Sequence, residues 1–422
     1  MIDTERKNDN LKLFLADFHI HSKYSRATSR DMDLDSLYKW GKIKGINVIG
    51  TGDFTHPDWQ EEIKEKLEPA EDGLFMLKKK YSKELDKEVP VSVRNNFIRF
   101  ILTSEVSSIY KKNDRVRKVH SILIVPSFKE MEMVSKKLEG IGNIHSDGRP
   151  ILGLDVKDLL KLTYDVSEDN YFIPAHIWTP WFSLFGSKSG FDSIFECFDD
   201  YSKYITAVET GLSSDPFMNW RLSGLDGITL ISNSDAHSPR KLGREANVFN
   251  CDLNYNNIIG SMRLNDERFV GTIEFFPEEG KYHMDGHRRC NFCCTPDRTR
   301  LLNGICPVCK KFLTVGVDFR VNELADREYD FRPKKHKSVE YIIPLAEICC
   351  EILNIKSTSS KGVMGMYMDS VNKYGSEFDI LRNVNLKYID NEDLRKGIEN
   401  IREGNVSLTA GYDGVFGIIK AL

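Results

Sequence analysis

The sequence predicts an α/β fold: a closed or distorted barrel of strand and helix units, then a small zinc-ribbon module, then a mixed α/β segment. Three observations carry this. Apolar extended runs alternate with charged helical stretches through residues 1–280, the pattern of a mainly parallel sheet covered by helices. His, Asp and Glu recur at the C-terminal ends of those runs, where barrel strands converge on one mouth. Two Cys-x-x-Cys pairs then interrupt the rhythm between residues 290 and 309.

The first strand candidate, LKLFLADFH, ends on His19 and His21, which alternation brings to one face of an extended chain. DLDSLYKWGKIKG follows with helical apolar spacing and a closing glycine. INVIGTGD ends on Asp53, with His56 three residues on. FIRFILTSEVS carries Glu105, and KVHSILIV carries His120, which alone sits near the start of its run. SFKEMEMVSKKLEG is the next clear helix, YFIPAH ends on His176, and ITAVETG follows. ITLISNSDAH closes with Asp235 and His237, and VGTIEFF completes the series.

This mixture of imidazoles and carboxylates is a ligand set for Zn²⁺, Mn²⁺ or iron, because imidazole suits Mg²⁺ poorly. His19, His21, Asp53, Glu105, His120, His176, Asp235 and His237 outnumber one ion's ligands, so two or three bridged divalent metals are expected. Glu105 is the natural bridging carboxylate, and His56 is held in reserve for Asp53. A site of this kind activates water and clamps the oxygens of a phosphoester displacement. Asp235, His237 and Glu105 are the expected catalytic residues. His145, His283, His287 and His336 read as surface or hydrogen-bonded histidines; HMDGH looks ligand-like but adjoins the ribbon and can simply turn the chain.

Within CNFCCTPDRTRLLNGICPVC, Cys290 and Cys293 precede a twelve-residue spacer and then Cys306 and Cys309. Two such knuckles complete a tetrahedral structural Zn²⁺ site, with Cys294 as the spare thiol. Cys197, Cys251, Cys349 and Cys350 read as packed thiols. Beyond the ribbon the spacing suggests short helices, ending in a turn around Asp413 in LTAGYDGVFGIIKAL.

At 422 residues, 41% hydrophobic and 29% charged, the chain is long enough for one large domain with smaller ones, expected at 1–280, 281–320 and 321–422. No run of 18 apolar residues exists, and MIDTERKNDN lacks a signal-peptide core, so a cytoplasmic protein is expected. The net charge of -4 is unevenly spread: residues 281–345 hold 13 Lys and Arg against 8 Asp and Glu. Any polyanion contact should concentrate there.

The ordered set His-x-His, TGD, Glu, His, PAH and Asp-x-His resembles the PHP (polymerase and histidinol phosphatase) superfamily over roughly residues 12–280. The resemblance implies a distorted (β/α) barrel, a multinuclear metal centre and phosphoester hydrolysis. It matches His19, His21, Glu105, His120, His176, Asp235 and His237 to the superfamily's ligands. Two departures stand out: SKYSRAT lacks a further His that many members carry, and Asp53 is followed by Phe54 where many read Asp-His. With FFPEEGKYHMDGHRRC, the ribbon and GYDGVFG included, nearly the whole chain is similar to the endonuclease Q family.

That similarity implies a DNA-repair nuclease cutting 5′ to a deaminated base, uracil or hypoxanthine, or to an abasic site, leaving a 3′-hydroxyl and a 5′-phosphate. A damaged nucleotide must leave the stack to be accepted. Trp178, Trp181, Phe182 and Phe185 can wall its pocket or wedge the duplex, or be core packing. Arg240 and Lys241 can meet phosphates, as can Arg288, Arg289, Arg298, Arg300, Lys310 and Lys311 on the ribbon. The expected partner is damaged duplex DNA, the expected state a monomer. A phosphatase of small phosphomonoesters and an inactive DNA-binding protein are the alternatives; the ribbon argues against the first, the full ligand set against the second.

Overall fold

The computed structural model describes residues 13–422, so the polar start MIDTERKNDN and the first two residues of LKLFLADFH lie outside it. Each apolar run named above forms a strand. β1 (Leu13–Asp17), β2 (Val48–Gly50) and β3 (Arg99–Lys112) pair in parallel at the centre. β1 beyond Leu13, and all of β2, are buried on both faces, which is why they read as unbroken apolar runs. The helix between them, Leu34–Lys44, starts where Asp33 accepts from Ser36 N and stops at Gly45, with φ of 90°.

The sheet is mixed rather than mainly parallel, and one turn explains much of the difference. β4 (Arg115–Val125) returns antiparallel along β3 through Asn113 and Asp114, whose φ values are 52° and 55°. Two consecutive left-handed residues make the tight hairpin loop whose twist suits its strands. FIRFILTSEVS and KVHSILIV are therefore arms of one hairpin, and the helix Phe128–Glu139 follows both. β5 (Tyr171–Pro174) is antiparallel to β4 and so runs in the direction of β3.

β6 (Ala207–Glu209) and β7 (Thr229–Ile231) form a separate parallel pair. β8 (Ala246–Asn250), which the sequence pattern does not single out, lies antiparallel between β1 and β9 (Phe269–Glu274). β10 (Ser338–Tyr341) adds in parallel to β9. Among the described residues the main sheet has eleven strands. Among the described residues the strands do not close into one hydrogen-bonded barrel, and a parallel bridge from Ile20 to Ala236 ties the end of β1 to the segment after β7.

The C-terminal segment packs against the rest of the chain. It supplies β10 to the main sheet, and its helices Leu345–Leu353, Lys361–Tyr374 and Glu392–Glu403 bury Ile348, Val371 and Ile398 in a core continuous with Ile49 and Leu102. A buried ion pair, Lys44 Nζ to Glu377 Oε2 at 2.6 Å, crosses that boundary. No helix among the described residues is long and apolar enough to cross a membrane.

Candidate metal centre

Two ligand triads meet beside the β3–β4 hairpin, at the level of Glu105 and His120, where the chain continues beyond the C-terminal ends of β1, β5 and β7. His19, His21 and Asp235 each bring a ligand atom within 4.8 Å of the others, and so do Glu105, His120 and His176. Glu105 links the two: Oε1 lies 2.6 Å from His120 Nδ1 and 3.1 Å from His176 Nε2, while Oε2 lies 3.3 Å from His21 Nε2 and 3.5 Å from His19 Nε2. The hairpin explains the odd position of His120. In antiparallel β4 it pairs with Ser107, so a residue near the start of its strand reaches the level of Glu105.

Backbone strain gathers at the same place. His176, Asp235 and Asp53 hold φ values of 28°, 46° and 49°, a left-handed conformation that costs a non-glycine residue roughly 1 kcal/mol or more and persists where surrounding structure enforces it. Gly211 makes room for His176, since a Cβ there would come 2.4 Å from the His176 Cβ.

Asp53 and Glu209 stand behind the histidines. Asp53 Oδ1 lies 3.0 Å from His21 Nδ1, and Oδ2 accepts from Ser22 N at 2.6 Å, Ser22 Oγ at 2.7 Å and Ser25 Oγ at 2.8 Å. With both oxygens engaged, it orients His21 from outside the triads. His56 is also outside them: its Nε2 lies 3.0 Å from His145 O and its ring stacks on Tyr24 at 4.5 Å. Sequence reasoning misses Glu209, although it ends ITAVETG by the rule that picks out His19. Its oxygens lie 3.0 and 3.1 Å from His19 Nδ1 and accept from His176 N at 2.7 Å and Asn233 Nδ2 at 2.8 Å. Arg149 is missed for want of any motif, and its Nη1 donates to Glu105 Oε2 at 3.0 Å. His237 sits at the rim, with Nδ1 2.9 Å from Asp235 O and its ring 4.4 Å from that of His21.

Burial opposes charge on His19 and His21, but Glu209 beside the first and Asp53 beside the second, with Glu105 and Asp235, raise both well above the ordinary histidine value. Burial drives His120 down to about 4 against the pull of Glu105. It pushes Glu105 and Asp235 up, yet the surrounding imidazoles, and Arg149 in the case of Glu105, hold both below the usual carboxylate range. Imidazolium protons balanced by buried carboxylates are what bound dications displace. His19 Nε2, buried without a hydrogen-bond partner, fits a ligand atom.

The candidate ligand group of the ribbon differs from the expected four-cysteine set in one residue. Cys290, Cys306 and Cys309 gather with His287, and Cys293 stays outside, exposed. Asn291, with φ of 49°, turns the chain back as a hairpin, pairing Asp285–His287 with Phe292–Cys294. Cys290 precedes the turn, whereas Cys293 lies on the returning strand opposite Gly286. His287 Nδ1 takes the vacated corner, 3.6 Å from Cys309 Sγ. Cys294 lies 3.3 Å from Thr299 Oγ1. The Asp413 turn closes on this module, accepting from Arg288 N at 2.7 Å and Thr314 Oγ1 at 2.6 Å.

A model of the MJ0043 C-terminal domain matches residues 344–405. The uncharacterized protein YqxK of Bacillus subtilis is 28% identical, over 97% of this chain and 100% of that one. The uncharacterized protein MJ0043 of Methanocaldococcus jannaschii is 29% identical over 64% of this chain but 35% of that protein, so the chain spans about a third of that relative. The crystal structure of the lesion-specific endonuclease PfuEndoQ from Pyrococcus furiosus is similar with a TM-score of 0.83 and 30% identity, covering 97% of this chain and 95% of that one. The chain belongs to the endonuclease Q family. A structure of endonuclease Q in complex with a 27-mer duplex substrate with an abasic lesion at the active site has a TM-score of 0.81, at 30% identity over 97% of this chain and 96% of that one.

In this endonuclease Q family member the aromatic run after His176 divides. Trp178 and Phe185 are core residues, 1% and 2% exposed, with Trp178 Nε1 bonded to Asn219 Oδ1 at 2.8 Å; neither can wedge a duplex. Trp181 is 53% exposed, and Phe182 packs on His120 at 4.7 Å, with Lys118 Nζ 5.2 and 5.1 Å from the two rings. Arg240 is exposed over Trp40 at 6.0 Å. Arg288, Arg289, Arg298, Lys310 and Lys311 are exposed on the module, whereas Arg300 is engaged with Asp297 and Asn322.

Proposed function

We propose that this endonuclease Q family member is a metal-dependent, lesion-specific DNA endonuclease with a PHP-type centre. It hydrolyses the phosphodiester 5′ to uracil, hypoxanthine or an abasic site and leaves a 3′-hydroxyl and a 5′-phosphate. The observation that carries this reading is Glu105, one carboxylate joining two ligand triads, all but Asp235 buried, in a chain similar over almost its full length to a solved lesion-specific endonuclease.

Two or three divalent cations, Zn²⁺ with Mg²⁺ or Mn²⁺ supporting turnover, would be held by His19, His21, Glu105, His120, His176, Asp235 and His237 and would supply Lewis-acid charge and an acidified water. The chain's own part is orientation and charge. Asp53 and Glu209 lock the rings of His21 and His19 from behind, as partners of ligating histidines do. With Glu105 engaged as a ligand, the Arg149 guanidinium is released to take phosphate oxygens, for which its planar fork is suited. Trp181 and Phe182 support extrusion of the damaged nucleotide. The exposed arginines of the module grip backbone phosphates without reading sequence. In this division of labour residues 1–280 cut, 281–320 form a contact surface stapled by one structural Zn²⁺, and 321–422 add further DNA contacts.

Four labelled duplexes, identical except for a central normal base, uracil, hypoxanthine or abasic site, test the proposal with Mg²⁺ or Mn²⁺ beside a phosphomonoester. A single nick 5′ to the lesion, absent from the normal duplex and from Asp235→Asn, is expected. Phosphate release from the monoester with every duplex intact would overturn the reading in favour of a phosphatase.

A further inference from the structure

Two buried carboxylates outside the metal centre face each other across the β8–β9 ladder. The register that pairs Ala246 with Ile273 and Asn247 with Thr272 brings Glu245, just before β8, opposite Glu274 at the end of β9. Alternation puts Glu245, Asn247, Thr272 and Glu274 on one face of the two strands. Residues opposed in this way stand roughly 4.5–5.5 Å apart at Cβ, and like charges so placed repel. Neither glutamate reaches solvent to relieve that repulsion.

The polar atoms of this face divide into two sets. Asn247 Oδ1 accepts from Ser232 N at 3.0 Å, and Nδ2 donates to Ser232 O at 2.8 Å and to Asn233 Oδ1 at 2.9 Å. Ser232 Oγ donates to Glu274 Oε1, and Phe275 N donates to Glu245 Oε1 at 3.4 Å. Glu245 Oε2, Glu274 Oε2 and Thr272 Oγ1 are buried with no hydrogen-bond partner. Glu209 adds negative charge towards Glu245 and Asp215 towards Glu274, opposed by Arg244 beside Glu245. Burial raises both carboxyl pKa values, that of Glu274 to about 8.

We propose that Glu245, Glu274 and Thr272 form a site for one hard divalent cation of the Mg²⁺ and Ca²⁺ class, separate from the metal centre. Buried charges are paired or coordinate metals. The donors here are all oxygen, two carboxylates and a hydroxyl, without the imidazoles that suit the metal centre to Zn²⁺. Two carboxylates match a dication in charge, and a cation between them turns cross-strand repulsion into attraction. It thereby clamps β8 to β9, the ladder that takes the chain on from Asp235 and His237. Protons compete for the same oxygens, so the cation stabilises more at about pH 8, where the pair ionises, than at about pH 5. Without added cation the same pair makes the folded protein less stable as pH rises.

The test takes the full chain loaded with Zn²⁺ and freed of excess metal, then adds Ca²⁺ or Mg²⁺ while melting is followed. At about pH 8 one or both cations should raise the melting temperature by several degrees, and at about pH 5 by much less. Glu274→Gln should lose that response. Thr272→Val, which keeps the shape of the side chain and removes its oxygen, should need more cation for the same rise, and it decides the matter if Glu274→Gln fails to fold. Elemental analysis of the desalted proteins should find the added cation retained by the wild type and absent from Glu274→Gln. A melting temperature that falls with pH and ignores both cations would mean that the pair is neutralised by a proton, and would overturn the site. An equal response in the wild type and both variants would place the cation elsewhere and overturn it as well.

Discussion

Arg149 donates to Glu105 at 3.0 Å, so the carboxylate that joins the two ligand triads also holds a guanidinium at the mouth, 26% exposed. The pair places positive charge beside a centre that must meet a phosphodiester, whose charge grows in the transition state.

Arg149→Gln should therefore lower single-turnover cleavage by about 10²-fold, the scale of one lost electrostatic contact to a transition state, with the metal content of the protein unchanged. Arg149→Lys should recover only part, because an ammonium cannot make two parallel bonds to a phosphate. Elemental analysis alongside the rates decides the matter: metal lost in step with activity would mean that Arg149 acts by holding Glu105.

Asp53 acts through His21, and its removal should be felt as metal affinity. Asp53→Asn is expected to weaken metal binding by about 10–100-fold, with cleavage restored by excess metal. His56→Ala, which leaves His21 and its partners in place, should titrate like the wild type. Activity of Asp53→Asn that stays lost at saturating metal would instead make Asp53 a direct participant.

The geometry of the ribbon separates two adjacent candidates for its ligand set. His287→Ala should reduce the structural zinc bound and lower the melting temperature, whereas Cys293→Ser should retain both. Zinc counted by a chromogenic chelator after unfolding gives the answer, and the reverse result would restore the four-cysteine site.

Glu245 and Glu274 lie buried beneath the centre, each with one oxygen unpaired. Burial raises both, Glu274 from 4.5 to about 8, and Glu245 well above the usual value with added repulsion from Glu274 and Glu209. Between those limits the folded protein binds more protons than the unfolded chain, so stability falls as pH rises through the window. The wild type should accordingly melt at lower temperature at about pH 8 than at about pH 5, and Glu274→Gln should flatten that slope. Parallel slopes for the two proteins would place the dependence elsewhere.

The ligand chemistry was legible residue by residue. His19, His21, Glu105, His120, His176 and Asp235 all follow from polar groups ending or interrupting apolar runs, and all six converge. Glu209 obeys the same rule and was within reach. Arg149 was not, because a lone arginine in SDGRP carries no periodicity and its importance lies wholly in what it touches. The aromatic run after His176 shows the converse: Trp178 and Trp181 read alike in sequence, yet one packs in the core and the other faces solvent.

The sequence by itself determined the element types, the set of candidate metal ligands at the mouth and the position of the ribbon, because those depend on local periodicity and on which atoms can ligate. Only the tertiary structure decided which ligands are shared. Strand direction and turn handedness set where a side chain points, and these emerge from contacts far apart along the chain. The left-handed Asn113–Asp114 turn carries His120 to Glu105, and the left-handed Asn291 leaves Cys293 outside the corner that His287 occupies.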